Sequence, residues 1–307
     1  MSFSRQLTPF IQHVVTSRHG LPCQPVTRVV FKMCVQRMFR LCLVALAMVA
    51  GLLLAKDAQA QSGGSASPLS GWQATVGAGV RLQPSYDGSD RFSIAYRPII
   101  SFGRVGAVRW WSAEDDAISL SVVNGGNWRA GAGAALVMAR SGKDDRRLNG
   151  LQKVPFGVEI GGFGEYYPTS WLRGRVDLRQ AIRGHRGLVS EVKLDAFTDP
   201  NAQWSFGAGP RMTIVNTRYV DSYFSVSPAE AVATGYPVYA GKGGVNTVGA
   251  IAQGSYRWTP ALKSTAYVKY DYLVGGASRA PVVVSPLGNR HQLELGFSTS
   301  WTFDLGR

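Results

Sequence analysis

Apolar and polar residues alternate at every second position along most of the sequence after residue 70. In segment 291–303, HQLELGFSTSWTF, the odd positions are mostly apolar or aromatic, and the even positions are polar or small. The same pattern recurs in WQATVGAGVRL (72–82), LRGRVDLR (172–179) and LKSTAYVKYDYL (262–273). Successive side chains of a strand point to opposite faces, so each segment predicts a strand with one apolar and one polar face. The sequence therefore predicts an all-β fold.

The length of these segments distinguishes a membrane barrel from a soluble sandwich. Many run for about 10–12 residues, which suits a tilted membrane strand better than the usual soluble length of about 5–6. After residue 60 no apolar run is long enough for a transmembrane helix, so a closed barrel is the remaining way to span a bilayer. Aromatic residues also recur near segment ends, as in interfacial girdles. We predict a transmembrane antiparallel β-barrel of the outer-membrane type, with a secreted soluble β protein as the alternative.

About twelve such segments can be counted, and the third and fourth have the weakest pattern. They are 72–82, 92–103, 104–111, 117–123, 128–138, 155–165, 171–182, 187–197, 203–215, 247–258, 262–273 and 290–303. Short connections follow the even segments, and longer ones tend to follow the odd segments. Because bacterial barrels have short periplasmic turns and long outer loops, this alternation predicts that both termini of the barrel are periplasmic.

The N-terminal region has the layout of a secretory signal. Residues 32–40 are basic, residues 41–55 are apolar, and a small-x-small site ends at Ala60. This predicts cleavage after Ala60, with an uncleaved anchor as the alternative and with translation starting at Met33 or Met38. The predicted organisation is an extension plus signal peptide (1–60), a flexible periplasmic tail (61–71) and an outer-membrane barrel (72–307). Cleavage leaves 26 basic and 18 acidic residues, a formal charge of +8.

No motif in the sequence predicts an enzyme, a cofactor or a metal site. All three cysteines precede the predicted cleavage site, and the only later histidines, His185 and His291, have no metal-ligand spacing. A hydrolase would need a nucleophile and a base, and His185 with Ser190 and Glu191 is the best available set, although nothing fixes its geometry. The positive charge is scattered along strands without an aromatic-interleaved basic patch, which argues against nucleic-acid binding.

The polar faces of the predicted strands carry many charges that would point into the barrel. They are Arg81, Arg97, Arg129, Glu159, Glu165, Arg173, Arg175, Asp177, Arg179, Glu191, Lys193, Asp195, Arg211, Lys269 and Asp271. Buried charges must pair or stay hydrated. A barrel of about twelve strands is small, so we favour a lumen filled by ion pairs over a narrow polar pore. DDRR (144–147) is predicted to be a solvated loop face within reach of lipopolysaccharide phosphates.

The longest predicted outer loop resembles a known family. Residues 218–250 contain Tyr223-Phe224-Ser225-Val226-Ser227-Pro228, an alanine-rich stretch, Tyr239 and a glycine cluster. This motif resembles a hallmark of the MipA/OmpV family of MltA-interacting outer-membrane proteins, as do residues 79–102 and 270–283. Within the motif, Ser227, Pro228 and Glu230 occupy the cap, first and third positions of a short helix that Gly235 would end. We expect this helix to pack over or into the barrel mouth, with a gate or ligand contact as the alternative.

The resemblance implies an outer-membrane barrel, and because no catalytic or cofactor motif was found, we expect no enzymatic activity and no cofactor. It also implies partners, since family members have been linked to holding a lytic transglycosylase and a bifunctional murein synthase, and others to adhesion or drug permeability. The predicted function is thus a scaffold, with a pore or an adhesin as alternatives. The short turns offer little area against the roughly 800 Å² per partner of a specific interface, so the tail at 61–71 is the most available additional surface. Outer-membrane lipid and lipopolysaccharide are further expected partners.

Overall fold

In the described part of the chain, eleven strands form a closed barrel. The computed structural model describes residues 70–104, 111–143, 145–286 and 288–305, and the strands pair in the cyclic order β1-β11-β10-β9-β8-β7-β6-β5-β4-β3-β2. The strands are β1 (Trp72–Pro84), β2 (Phe92–Arg104), β3 (Ile118–Asn124), β4 (Trp128–Val137), β5 (Gly157–Thr169), β6 (Leu172–Ala181), β7 (Leu188–Thr198), β8 (Trp204–Val215), β9 (Gly244–Arg257), β10 (Leu262–Leu273) and β11 (His291–Asp304). The helices are α1 (Thr217–Tyr223), α2 (Pro228–Thr234) and α3 (Pro281–Val284), with 3-10 turns at Arg146–Leu148 and Ala277–Arg279.

The predicted all-β barrel is confirmed, and its strand number is close to the predicted twelve. Most of the predicted third segment, 104–111, lies outside the described residues. β3 runs parallel to β2, with which it pairs only at Ser101–Ser119 and Phe102–Leu120. The other pairs are antiparallel. Residues 111–117, which precede β3, lie inside the barrel. β3 therefore enters the wall from the inside and runs in the same direction as β2.

The connections divide the barrel into two ends. We call one the turn end, where the first residues of β1 and the last of β11 pair and where the short connections lie. These connections are 125–127, 170–171, 199–203 and 258–261. The opposite, loop end carries connections 85–91, 138–156, 182–187, 216–243 and 274–290. By the usual orientation of bacterial barrels, the turn end is expected to face the periplasm.

The outer surface of the barrel has the polarity of a membrane-spanning wall. Large apolar residues such as Ile160, Val176 and Leu194 are exposed on it, while Glu165, Arg175 and Asp195 of the same strands are buried inside. Tryptophans cluster at the turn end, where amphipathic rings are favoured at a membrane interface. They are Trp72, Trp128, Trp171, Trp204, Trp258 and Trp301. No helix within the described residues has the length and hydropathy needed to cross a bilayer.

Small inward-facing residues let the strands approach one another closely. A Cβ atom on Gly131 of β4 would lie 1.9 Å from the carbonyl oxygen of Leu120 in β3. No side chain fits at that distance, so glycine is required for this strand pair. The predicted signal peptide, its cleavage site and most of the predicted tail lie outside the described residues and stay predictions.

Candidate functional site

A buried network of ion pairs occupies one side of the lumen. Its centre is Arg173 of β6, whose side chain is fully buried. The Arg173 guanidinium lies 2.6 Å from Asp195, 2.7 Å from Asp116 and 3.3 Å from Glu165. One cation thus contacts carboxylates from β5, from β7 and from the segment that precedes β3. Burial of these charges is tolerable because each is paired and hydrogen-bonded.

The network continues along β6 toward the loop end. Arg175 bonds to Asp177 at 2.7 Å and also to Glu165. Arg179 lies 2.9 Å from Glu159 and 2.9 Å from Glu191. These pairs alternate along one strand face, as the period-two pattern requires.

Two further cations extend the network across β7 and β8. The ammonium of Lys193 lies 3.0 Å from Glu191 and 3.5 Å from Asp116. Arg211 lies 2.6 Å from Asp195 and 2.8 Å from Asp115. The positive strand residues therefore surround the two adjacent carboxylates that precede β3.

Residues 111–117 form a segment inside the barrel, which we call the plug segment. Trp111 is buried and stacks on Phe197 with ring centroids 4.8 Å apart. Its backbone N–H donates to the Tyr167 hydroxyl at 3.1 Å. With Asp115 and Asp116 held by the network, the segment is fixed by apolar packing at one end and by charge at the other.

The sequence-based prediction of the lumen did not include this segment. Because 104–111 and 117–123 were both assigned to wall strands, Asp115 and Asp116 fell in the connection between them and not in the lumen. One signal was available: two adjacent acids would point to opposite faces of a strand, and one of them would then face lipid. SAEDDA (112–117) therefore fits a wall strand poorly.

The remaining predicted lumen residues lie on the opposite side and pair more loosely. Arg81 lies 3.6 Å from Glu294. Lys269 lies 3.0 Å from Asp271 and 4.0 Å from Asp115. Arg129, by contrast, bonds to Glu165 at 2.7 Å and belongs to the dense side.

Arg97 is a cation without a carboxylate partner among the described residues. Its guanidinium donates instead to the backbone carbonyl of Asp116. Arg97 lines a cavity of about 590 Å³ that occupies this side of the lumen and reaches the turn end at Gln73 and Pro260. The lumen is therefore packed on the β5–β8 side and open on the side of β1, β2, β10 and β11.

The loop end is covered by a small apolar core, which we call the loop cap. Every long connection except 182–187 contributes to its buried side chains. They are Tyr86, Leu148, Val189, Val215, Val220, Phe224, Leu273, Ala277, Ala280, Val282 and Val283. Burial of this many apolar groups makes the loops a packed layer and not a set of independent chains.

The family-motif residues build this cap. Phe224 is 1% exposed, and Tyr223 packs against Tyr219 with ring centroids 4.7 Å apart. The Tyr239 hydroxyl donates to the carbonyl of Gly276 at 2.6 Å. Their contacts are those of packing residues in the cap.

Helix α2 has the caps that the sequence predicts. Ser227 and Glu230 form a reciprocal capping box, Pro228 occupies the first turn, and Gly235 ends the helix with φ 76°. The Glu230 carboxylate also accepts a hydrogen bond from the backbone of Gln152, which ties α2 to the β4–β5 connection. The helix thus lies on the cap, with Val232 fully outside it.

His185 does not form the nucleophile–base set considered from the sequence. Its Nδ1 accepts from the Gly187 backbone at 3.0 Å, so the proton is on Nε2, which lies 2.9 Å from Glu159. Ser190 faces outward on β7 while Glu191 faces inward, because adjacent strand residues point to opposite faces. The geometry of His185 is that of a buried structural histidine.

The prediction that DDRR is a solvated loop face is wrong for two of its residues. Asp145 is buried, and Arg147 bonds to it at 2.8 Å and also to Asp90 of the β1–β2 connection. The hydrogen bonds from Arg147 lower the pKa of Asp145 to about 2. Arg146 is exposed, and Asp144 lies outside the described residues. The sequence did not reveal the partner because Asp90 is distant along the chain.

No group of three or more histidine, cysteine or acidic side chains among the described residues is placed to hold a metal ion. The carboxylates of the lumen are arranged around arginine and lysine instead. The site therefore consists of paired charges that fill one side of the lumen and a water-accessible cavity on the other side.

Comparison with known proteins assigns the chain to a family. Residues 76–303 match the family model of the MltA-interacting protein MipA. The chain belongs to the MipA family. Family membership agrees with the motif at Tyr223–Tyr239 and spans nearly all of the barrel. No curated protein sequence matches the chain.

Solved outer-membrane barrels are similar to the chain at low identity. A bacterial polysaccharide outer membrane secretin is 11% identical with a TM-score of 0.40, over 75% of this chain and 98% of the other. An outer membrane channel from Pseudomonas putida F1 is 8% identical with a TM-score of 0.43, over 80% and 100%. The NanC porin is 11% identical with a TM-score of 0.36, over 75% and 98%.

Family membership and the closed barrel with its apolar outer face locate the protein in the outer membrane of a Gram-negative bacterium. In the cyclic order every strand pairs with a neighbour on each side, and closure of this kind is the condition for crossing a bilayer with strands.

Proposed function

We propose that this protein is a non-enzymatic scaffold that holds murein-processing enzymes at the periplasmic face of the outer membrane. The partners proposed are a lytic transglycosylase and a bifunctional murein synthase. The observation that carries the proposal is membership in the family of MltA-interacting proteins. The ion-paired filling of the β5–β8 side of the lumen and the loop cap support it, because a rigid, partly filled barrel suits a fixed platform better than a wide channel.

The turn end is the face that would receive a periplasmic partner. Its connections are short and largely polar; exposed Pro200 and Thr259 lie on two of them, and exposed Thr169 is the last residue of β5 at this end. A specific interface buries about 800 Å² per partner. We therefore propose that the turns and the N-terminal tail bind together, while the opposite end contacts outer-membrane lipid and lipopolysaccharide.

The test is crosslinking in intact cells followed by affinity capture of the protein. Selective recovery of a lytic transglycosylase or a murein synthase, relative to an unrelated barrel of equal abundance, is the expected result. If neither enzyme is enriched while a known envelope pair is recovered in parallel, the scaffold proposal fails.

Variants can then locate the interface. Thr169→Arg and Thr259→Arg add bulk and charge at the turn end and should weaken capture. Val232→Arg adds the same side chain at the loop end and should leave capture unchanged. Equal loss in all three variants would instead indicate a general defect of insertion, which heat-modifiable electrophoretic mobility would detect.

The open side of the lumen supports a second candidate, a narrow permeability path. The cavity of about 590 Å³ reaches the turn end, but the loop cap lies across the other end. Single-channel recording in planar bilayers decides this candidate. Steady conductance of the wild-type protein would favour it, whereas a silent wild type that conducts only after removal of residues 216–243 would show that the cap closes the lumen.

A further inference from the structure

The barrel wall contains a gap between β2 and β4. β2 pairs with β1 along its full length, but with β3 it pairs only at Ser101 and Phe102. β3 begins at Ile118, which pairs with Ala134 of β4. Residues 92–99 thus have no strand partner on this side among the described residues. We call this gap, bounded by 92–99, by 134–138 and by Ile118, the wall cleft.

The wall cleft is closed at the loop end. Arg147 of the β4–β5 connection bonds to Asp90 and, at 3.1 Å, to Ser89 of the β1–β2 connection. Ser85 also donates to Asp145 at 3.3 Å. These bonds join the two connections that flank the gap. The wall cleft is therefore an opening of limited length, and the barrel is closed around it.

The backbone of β2 fits an edge of this kind. Unpaired backbone groups that face lipid cost several kcal/mol each, so the free edge needs a polar partner or water. Pro98 lies near the end of the free stretch, pairs with Ala78 of β1, and has no N–H to leave unsatisfied. The cavity behind the edge supplies space for water or for a polar ligand.

The cavity passes through the wall cleft. Its lining includes Tyr96, Leu136 and Met138, which are exposed on the outer face, and Arg97, Arg175 and Arg179, which face inward. Eight basic and five acidic side chains line it in total, so its charge is net positive. Arg175 and Arg179 are already paired with carboxylates, whereas within the described part of the chain Arg97 hydrogen-bonds to a backbone carbonyl and has no carboxylate partner.

We propose that the wall cleft binds a single-chain anionic amphiphile from the membrane. The acyl chain lies against Tyr96, Leu136 and Met138, and the carboxylate or phosphate head group binds Arg97. An outward apolar rim and an inward cation match the two ends of such a molecule when its head group enters the wall cleft from the bilayer and its chain stays outside, against the rim. The cavity volume of about 590 Å³ also falls within the range of about 300–1,000 Å³ typical of ligand pockets. The proposal is independent of the scaffold role.

The test is electron paramagnetic resonance of spin-labelled stearic acid in nanodiscs that contain the full mature protein and zwitterionic lipid. The methyl ester of the same labelled acid is the neutral comparison. The wild-type protein should immobilise the acid more than the ester at a pH where the acid is ionised. Arg97→Gln should weaken binding of the acid roughly tenfold, equivalent to about 1.4 kcal/mol, and Arg97→Lys should retain most of it.

A second pair of variants tests the location. Ala135→Trp places a large ring at the rim of the wall cleft and should abolish the difference between acid and ester. Ala132→Trp makes the same substitution on the outer face of the same strand, away from the cleft, and should have no effect. Folding of each variant is checked by heat-modifiable electrophoretic mobility.

Three outcomes would overturn the proposal. Equal immobilisation of acid and ester by the wild-type protein would mean simple adsorption of the chain to the barrel surface. Full binding in a folded Ala135→Trp variant would place the ligand elsewhere. Displacement of the acid by millimolar inorganic phosphate would mean that a soluble anion, and not a membrane amphiphile, occupies Arg97.

Discussion

Replacement of Arg173 by methionine tests the ion-pair network at its centre. The substitution keeps a long side chain but removes a fully buried positive charge that lies 2.6–3.3 Å from Asp116, Asp195 and Glu165. Removing one partner of a buried ion pair costs about 3–5 kcal/mol, because the remaining charge is uncompensated. Asp195 keeps Arg211 at 2.6 Å and Glu165 keeps Arg175 at 2.5 Å, whereas Asp116 keeps only longer contacts, to Lys193 at 3.5 Å and to Arg175 at 3.8 Å. Asp116 therefore loses most. We expect the free energy of unfolding to fall by about 3–5 kcal/mol.

Urea titration of the protein in lipid vesicles, followed by tryptophan fluorescence, measures this change. Arg183→Met is the matched control, because Arg183 is exposed in a loop and surface substitutions usually change stability by no more than about 0.5 kcal/mol. Adding Asp116→Asn to Arg173→Met should recover part of the loss. A loss below about 1 kcal/mol, or no recovery in the double variant, would refute the view that charge pairing holds the plug segment.

Three further predictions concern the loop cap. Phe224→Ala removes a ring that is 1% exposed and should destabilise the loop cap by about 3–5 kcal/mol, which faster proteolysis of the loops would detect. The control Val232→Ala, at a side chain that is 90% exposed, should leave the proteolysis rate unchanged. Equal rates in the two variants would contradict the packed cap. Ser227→Ala removes the N-capping hydroxyl of α2 and should destabilise the helix by about 1 kcal/mol, so amide exchange in the helix should rise roughly fivefold. Unchanged exchange would show that the Ser227 side chain does not stabilise the helix. Arg147 lowers the pKa of Asp145 to about 2 from 3.8, so the stability that this ion pair adds to the loop cap is present above pH 3.8 and lost as pH falls toward 2. Asp145→Asn should remove that acid dependence from the proteolysis rate. An unaltered pH profile of proteolysis in this variant would contradict the prediction.

The strands were predictable because their physical signal is local. Period-two alternation over ten or more residues fixes both the strand and its inward face, and segments such as 172–179 and 262–273 lie within β6 and β10. The caps of α2 were predictable for the same reason, since a capping box and a terminal glycine act within one short helix.

The charge partners were not predictable from local pattern. Asp116 meets Arg173, and Arg147 meets Asp90, across long stretches of chain whose approach depends on the closed barrel. The alternation showed that Arg173 faces inward but not which carboxylate it would meet. The parallel β2–β3 pair was also hidden, because a strand's direction does not alter its side-chain period.

The parallel pair accounts for both sides of the lumen. Residues 111–117 run inside the barrel before β3 enters the wall in the direction of β2, and this return places Asp115 and Asp116 among the cations of β6, β7 and β8. The same return shortens β3, which begins only at Ile118, and so leaves residues 92–99 of β2 without a partner. A regular twelfth strand would remove the plug segment and the wall cleft together. The filled side of the lumen and the opening in the wall are therefore two consequences of one change in strand direction.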